Sequence, residues 1–377
     1  MSRTLSEYSV PRCPRRSFFS CAVVGVVVGV VFFVLAESSQ AGQPRKALEI
    51  YFVDVEGGQA TLFVTPEGQS LLIDTGWPGY GGRDADRIVA AAKKAGLSKI
   101  DFVLLTHYHV DHAGGVAPLL ARIRVGAFID HGANREPGDR ETEQTWEAYQ
   151  KLVSSQHVTR IIAKVGDILP IEGLRAEIVS SDGTLIQKPL PGAGAYNAAC
   201  SAADNRPADR TENARSLGTI ITFGKVRILD LGDLTRDKEG ELVCPINKLG
   251  PTDIFIVSHH GWLQSNSPAL LTAISPRIAI MDNGAGKGGS PSSWDSIKNS
   301  PQTRGPLAAS FFKRRRCGAQ FCRPLYRQPS GTGCGQLSAS IGLGGRQTWG
   351  LQFANTDYQA LQAHALSARV TTAQRQA

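Results

Sequence analysis

The densest chemistry in the chain lies in Thr106-His107-Tyr108-His109-Val110-Asp111-His112, where three imidazoles and one carboxylate fall within six residues. Imidazole with carboxylate is a ligand set for zinc, and also for manganese or iron. In a tight turn, residues two apart can face one pocket, so helical spacing is not required. A single His is more often structural or solvated; a cluster this dense directly after an apolar strand is a metal-binding pattern. The strand in question is Asp101–Leu105. Two later segments repeat the placement: Val226–Leu231 runs into Gly232-Asp233, and Asp253–Val257 into Ser258-His259-His260-Gly261. Asp74 likewise follows Leu71-Leu72-Ile73. An Asp after Gly is commonly a turn residue and a His pair commonly faces water. What sets these apart is that every one sits at the end of an apolar strand.

The elements that must position these residues can be read from periodicity. Ala47–Val53 and Gln59–Val64 are β-rich and flank Gly57-Gly58, a hairpin signal. Ser70–Ile73 is a third strand. Asp84–Ala95 has helical spacing and stops at Gly96. Helices are expected at Gly114–Ile123, Arg140–Ser155 and Pro268–Ile274. Strands are expected at Ala127–Ile129, Arg160–Ala163, Ala176–Val179, Gly218–Phe223 and Arg277–Met281. Pro189–Ser216 is a long stretch rich in Gly, Ala, Asn and Asp, of the kind usually either functional or irregular. Strands first, then strand–helix alternation, in two similar halves, predicts an α/β architecture of sheets packed face to face with helices outside.

These motifs, in this order, resemble the metallo-β-lactamase fold superfamily. Asp74-Thr75-Gly76, the T-H-x-H-x-D-H string from Thr106 to His112, Gly232-Asp233 and His259-His260-Gly261 carry the resemblance, which covers about residues 48–285. The His-His-Gly ending is similar to the branch that contains the soluble domain of the DNA-uptake channel protein ComEC and bacterial phosphodiesterase relatives. The resemblance implies a four-layer αβ/βα sandwich with one or two zinc ions. It implies His107 and His109 on one metal, Asp111 and His112 on a second, and Asp233 between them. His259 completes the second site, with His260 as the alternative, and Asp74 orients the cluster from behind. A further His usual in the family before the bridging Asp is absent. Asn213 stands near that place, and His131 is a second candidate for it. Asn is a weak neutral ligand, so the first site is expected to be the weaker. A bound divalent ion lowers the pKa of water from about 15.7 to about 7, supplying hydroxide at neutral pH. Asp111 is placed to accept a proton from that water. Lys287, in a Gly-rich run, either adds a cation for an anionic substrate or belongs to a surface loop. The implied activity is hydrolysis of a phosphodiester or phosphoester. The alternatives are a lactamase or lactonase of the same fold, or a non-catalytic remnant.

The remaining 1–41 and 302–377 differ in character from 42–301. Arg12, Arg15 and Arg16 precede an apolar run, Ser17–Ala36, and then Ser39-Gln40-Ala41, a small-x-small cleavage pattern. This is a secretory signal if cleaved and an inner-membrane anchor if retained. Arg15-Arg16-Ser17-Phe18-Phe19 also resembles a twin-arginine signal. Either way the expected location is beyond the inner membrane, periplasmic or extracellular. The net charge of +8 divides into +2 for 1–41, −3 for 42–301 and +9 for 302–377. The mildly acidic body therefore gives no support to nucleic acid as a partner, and a small-molecule or phosphodiester substrate fits it better. Outside the two ends only Cys200 and Cys244 remain of seven Cys, free to pair in an oxidising compartment or to stay as thiols.

From residue 302 acidic residues nearly vanish, Arg clusters, and Cys317, Cys322 and Cys334 fit no zinc-knuckle spacing. With permitted codons, Arg304 to Phe312 read one nucleotide later becomes Glu-Asp-Leu-Trp-Gln-Leu-His-Phe, which looks like ordinary protein. The expectation is a reading-frame shift near residues 302–304 that leaves a basic, disordered tail. The nucleotide sequence of the gene tests it: the shifted frame should stay open and protein-like, and stop codons there would overturn the idea.

Overall fold

The computed structural model describes residues 47–200, 207–284 and 286–303, with the backbone of 306–308, 336–343 and 349–355. The 1–41 segment, where a signal or anchor is expected, lies outside the described residues. So do the rest of the tail and its Cys317, Cys322 and Cys334.

Strands β1 (Ala47–Val53), β2 (Thr61–Val64) and β3 (Ser70–Ile73) form an antiparallel meander. Its last strand pairs in parallel with β4 (Lys99–Leu104), then β5 (Arg124–Asp130) and β6 (Thr159–Ile162). The parallel steps need crossovers, and helices supply them. These are α1 (Arg83–Lys94), the short α2 (Val110–Ala113) and α3 (Val116–Leu120), and α4 (Arg140–Ser155). α1 buries Ala85, Ile88, Val89, Ala91 and Ala92, an i, i+3, i+4 stripe. α4 starts at Asp139, whose carboxylate accepts the Glu141 N–H at 3.1 Å and so caps one of the free N–H groups of the first turn.

The second sheet holds β7 (Arg175–Ser181), β8 (Thr184–Leu185), β9 (Gly218–Phe223), β10 (Val226–Asp230), β11 (Ile254–Ile256) and β12 (Ile278–Met281). Its helices are α5 (Arg236–Val243), α6 (Pro268–Ile274) and α7 (Pro291–Lys298). α6 is started by Pro268 in its first turn and by Ser267 Oγ, which accepts the Leu270 N–H at 3.1 Å. β10, β11 and β12 run parallel to one another.

Three separate apolar clusters show the layering. One lies between the sheets, with Leu48, Phe63 and Leu104 against Ile178, Ile228 and Ile256. One joins the first sheet to its helices through Leu62, Phe128, Ile88, Leu119 and Tyr149. The third joins the second sheet to its helices through Leu229, Phe255, Leu242, Leu270 and Ile297. Three cores separate four layers, so the chain is the αβ/βα sandwich that the sequence implies. Each deeply buried side chain of this kind contributes about 1.5–3 kcal/mol.

The structure differs from the sequence reading in a few places. Gly114–Ile123 is not one helix: Asp111 and His112 already lie in α2, and Gly115 separates it from α3. Periodicity does not predict α5 or α7; α5 is mostly charged and gives no apolar stripe. Beyond residue 301, where the sequence reading ends the domain, β13 (Pro306–Ala308) pairs with β12, and β14 (Gln336–Leu343) lies between β1 and β15 (Trp349–Asn355). These stretches of the tail therefore have regular backbone. Gln336–Leu343 alternates polar and apolar residues with the period of a strand, a signal masked by the Arg- and Gly-rich sequence around it.

Cys200 and Cys244 form a disulfide, which selects one of the two states open to them. It closes a loop across 44 positions and ties the long 189–216 stretch to the end of α5. Closing that loop restricts the unfolded chain more than the folded one. Cys244→Ser should lower the unfolding free energy by about 2–4 kcal/mol, read as a lower urea midpoint, and reducing agent should bring wild type to the same midpoint.

Candidate metal centre

Every ligand-type residue singled out at a strand end emerges at the same edge of the sandwich, the carboxyl ends of β3, β4, β10 and β11. Open parallel sheets place their sites there. Asp74, immediately after β3, is fully buried and has φ of 59°, a left-handed conformation that a non-Gly residue adopts only when its surroundings hold it there. Its Oδ1 accepts the Thr106 N–H at 2.8 Å. Its Oδ2 accepts the Thr106 hydroxyl at 2.8 Å and lies 2.8 Å from His112 Nδ1. Thr75 follows, and both its N–H and its hydroxyl donate to the His112 carbonyl at 2.8 Å. Asp74-Thr75 thus clamps the whole His107–His112 run to the end of β3. Gly232, at φ 54°, sits so close to Thr106 that a Cβ there would come within 2.8 Å of the Thr106 Cβ, and this lets Asp233 reach the same point from β10.

The outer nitrogens of the imidazoles all meet acceptors. His112 Nδ1 faces Asp74. His260 Nδ1 lies 2.8 Å from the Asp282 carbonyl, and His109 Nε2 lies 3.1 Å from Glu136 Oε2. His107 Nδ1 lies 3.0 Å from Thr106 Oγ1, whose own proton goes to Asp74. Each outer nitrogen is therefore placed to keep a proton, which leaves the inner nitrogen to supply a lone pair to a cation. Those inner nitrogens face one another: His112 Nε2 and His260 Nε2 are 3.1 Å apart, and His107 Nε2 and His109 Nδ1 are 3.0 Å apart. Lone pairs this close, with carboxylates beside them, are reconciled by a cation between them.

Two subsites result. Asp111, His112, Asp233 and His260 offer ligand atoms all within 4.8 Å of one another, and all four residues are buried. Asp111 Oδ2 is 3.0 Å from His260 Nε2 and 3.3 Å from His112 Nε2. Asp233 Oδ1 is 3.3 Å from His112 Nε2 yet has no hydrogen-bond donor, an orphan that fits a ligand. On the other side, His107 and His109 form a pair, with His107 Nε2 4.0 Å from Asp233 Oδ2. Asp233 thus stands between the two pairs. Asn213, in the turn Glu212–Arg215, has a buried Oδ1 with no partner, and its carbonyl accepts from the Ser216 N–H. Ser216 Oγ in turn accepts the Asp233 N–H at 3.2 Å.

The charge balance agrees. Burial disfavours ionisation of Asp111 and Asp233, but His112 and its neighbours outweigh it and hold both well below the usual carboxylate range. Burial also opposes a charge on His112, yet Asp233, Asp111 and Asp74 push its pKa well above the ordinary value. The centre favours positive charge at the second subsite. At His107, burial and the neighbouring His112 and His109 drive the pKa well down, so that imidazole is neutral and free to ligate.

Two assignments expected from the sequence change place. The resemblance gives the second subsite to His259 with His260 as alternative; the structure brings in His260. Both residues have left-handed φ, 53° and 51°, and their rings diverge to 6.4 Å. His259 Nε2 lies 3.5 Å from Asp233 Oδ2, as near as His260 Nε2 at 3.6 Å, but only His260 also meets Asp111 and His112, so His259 falls outside the four-residue group, with its Nδ1 3.3 Å from Ser265 Oγ. His131 does not enter the centre either: its Nε2 bonds Glu212 Oε2 at 2.9 Å and its ring packs on Tyr108. Lys287 reaches the Asp111 carboxylate and lies 4.9 Å from the Trp77 ring centroid. Glu136 has no place in the sequence reading. It orients His109 and also accepts the Glu212 N–H at 2.8 Å. The signal for it is its place in the loop that follows β5 at this same sheet edge.

A residue that orients ligating His contributes about 10- to 100-fold to metal affinity. Asp74 supports two of them, so Asp74→Ala should weaken zinc binding at least about tenfold, measured by competition with a chromogenic chelator. Retention of wild-type affinity would show that Thr106 and the backbone suffice.

Residues 53–204 match the family model of the Metallo-beta-lactamase superfamily. Recombination protein 2 of Haemophilus influenzae is 25% identical over 233 residues, 62% of this chain and 24% of that protein. Hydroxyacylglutathione hydrolase of Rhodopseudomonas palustris is 27% identical over 100 residues, 26% of this chain and 31% of that protein. The chain thus spans about a quarter to a third of the length of these relatives. Among solved structures, CmlA, a diiron beta-hydroxylase from Streptomyces venezuelae, aligns with a TM-score of 0.41 at 16% identity, covering 71% of this chain and 53% of that one. The matched region contains the Asp74 clamp and the whole His107–His112 run, and over it the chain is similar to the metallo-β-lactamase superfamily.

Proposed function

We propose that this metal-dependent hydrolase is an exported zinc enzyme that cleaves phosphodiesters or phosphoesters. The observation that carries the reading is the double set of inward imidazole lone pairs on either side of Asp233. A divalent cation held there supplies hydroxide at neutral pH and Lewis acidity toward a phosphoryl oxygen. With no Cys in the set, nitrogen and oxygen donors suit zinc, with manganese or iron as the other candidates.

The protein's own groups have separate roles. His107 and His109 would hold one cation; Asp111, His112 and His260 would hold the other; Asp233 would serve both. Asp111, buried beside His112 and His260, would take the proton of the attacking water. Asp74, Glu136 and the Asp282 carbonyl keep the imidazoles in the ligating tautomer, so little reorganisation is needed when substrate arrives.

The alignment with a relative named for recombination, over 62% of the chain, supports a phosphodiester bond as the target. The net −3 of residues 42–301 favours a small diester over a long polyanion. Export is supported by the Arg12–Ala41 pattern and by the Cys200–Cys244 disulfide, which persists in an oxidising compartment.

The test is metal content with turnover of bis-p-nitrophenyl phosphate, on full-length protein purified without chelator. About two ions per chain, with turnover falling at least about 100-fold in His107→Ala and Asp233→Ala, is the expected result. A lactam or lactone cleaved much faster than the diester would move the substrate to the lactamase or lactonase class. Absence of metal would remove the enzyme reading.

A further inference from the structure

Lys287, singled out in the sequence for its charge, reaches the centre without being of ligand or orienting type. Its ammonium contacts Asp111 Oδ2, the same oxygen that lies 3.0 Å from His260 Nε2 and 3.3 Å from His112 Nε2. The Lys287 side chain is 26% exposed, whereas those of Asp111, His112 and His260 are exposed by 8% or less. It is therefore the solvent-facing neighbour of the buried Asp111, His112 and His260 group.

Its position is built. The Gly289 N–H donates to the His260 carbonyl at 2.9 Å, the Ser290 N–H to the Gly261 carbonyl at 2.8 Å, and the Gly284 N–H to the Lys287 carbonyl at 2.9 Å. Gly288, at φ 78°, lies against His260 so closely that a Cβ would come within 2.0 Å of the His260 carbonyl oxygen. The segment that carries Lys287 is thus locked onto the turn that carries His260, so the two side chains are placed together. On its other side the ammonium lies 4.9 Å from the Trp77 ring centroid, a cation–π contact that steadies it.

We propose that Lys287 is the specificity-determining residue of this site and receives a non-bridging oxygen of an anionic phosphoryl substrate. The proposal rests on the phosphoester reading and adds to it the charge of the substrate. An ammonium has three donors, and Asp111 takes one. The others can reach an anion bound beside Asp111. A phosphodiester carries a negative charge that the ligand carboxylates repel, and Lys287 offsets that repulsion at the point of entry. A neutral ester or lactam gains nothing from it. Lys287 therefore selects for charge, which the ligand carboxylates by themselves disfavour.

The experiment compares wild type, Lys287→Met and Lys287→Arg, each loaded with zinc. Three quantities are read: zinc per chain, the affinity for inorganic phosphate by calorimetry, and the ratio of kcat/KM for bis-p-nitrophenyl phosphate to that for p-nitrophenyl acetate. In Lys287→Met, zinc content should hold. Phosphate affinity and the diester-to-acetate ratio should each fall roughly 10- to 100-fold, the weight of one charge-assisted hydrogen bond. Lys287→Arg should recover part of both. The proposal is overturned if phosphate affinity does not change, if diester and acetate turnover fall together, or if zinc is lost, which would make Lys287 a support of the metal centre. If wild type fails to cleave the diester but binds phosphate through Lys287, the phosphoester function falls and the anion receptor stands.

Discussion

The structure of this centre depends on one carboxylate. Asp74 is fully buried, held in a left-handed backbone conformation, and spends both oxygens on the same short loop. One oxygen fixes the Thr106 N–H; the other takes the Thr106 hydroxyl and faces His112 Nδ1. Through Thr106 it also sets the proton on His107 Nδ1. A single group thus orients one imidazole on each side of Asp233, and it does so from β3, the strand at which the first sheet changes from antiparallel to parallel pairing. That change in direction is what brings the end of β3 beside the end of β4. The fold and the site are joined there.

Much of this is legible in the sequence because ligands after apolar strands combine two independent signals. The density of His107, His109, Asp111 and His112 identifies the chemistry. The apolar runs before Asp74, Thr106, Asp233 and Ser258 identify the edge at which they meet. The four-layer arrangement follows from the alternation of strands and helices. What the sequence leaves open is direction. His259 and His260 are adjacent, and which ring turns inward is decided by two successive left-handed residues and by the Asp282 carbonyl, a backbone atom with no sequence signature. Glu136 is hidden for a related reason: it comes from a loop between β5 and α4 whose path is set by Glu212, which accepts the Arg135 N–H at 2.6 Å from across the fold. α5 escapes periodicity because only a few of its residues are buried, and one of them is Glu239, a charged group. Its carboxylate accepts the Asn266 and Ser267 N–H groups at 2.6 and 2.8 Å, so its burial serves hydrogen bonding to a loop and leaves no apolar stripe.

The acidic side chains behind the centre have a common logic. Asp230 and Asp282 are both buried, and burial raises the pKa of each, to about 7 for Asp230 and well above the carboxylate range for Asp282. Asp111 and Asp233, equally deep, go the other way because the imidazoles face them. Depth alone therefore does not decide the charge; the facing partner does. With Asp111 and Asp233 ionised while Asp230 and Asp282 are pushed toward the proton, negative charge collects at the point where a cation would sit.

The two subsites are unequal, and the inequality is chemical. The second has two carboxylates and two imidazoles within 4.8 Å, a closed set of four. The first has two imidazoles and a more distant Asp233, whose Oδ2 lies 4.0 Å from His107 Nε2. The structure partly compensates. Glu136 accepts from His109 Nε2, and a carboxylate behind an imidazole raises the basicity of the nitrogen on its far side. The first subsite then gains through its supporting shell part of what it lacks in its ligands. A more weakly held cation is also less neutralised by its protein ligands. It retains more attraction for an incoming anionic oxygen.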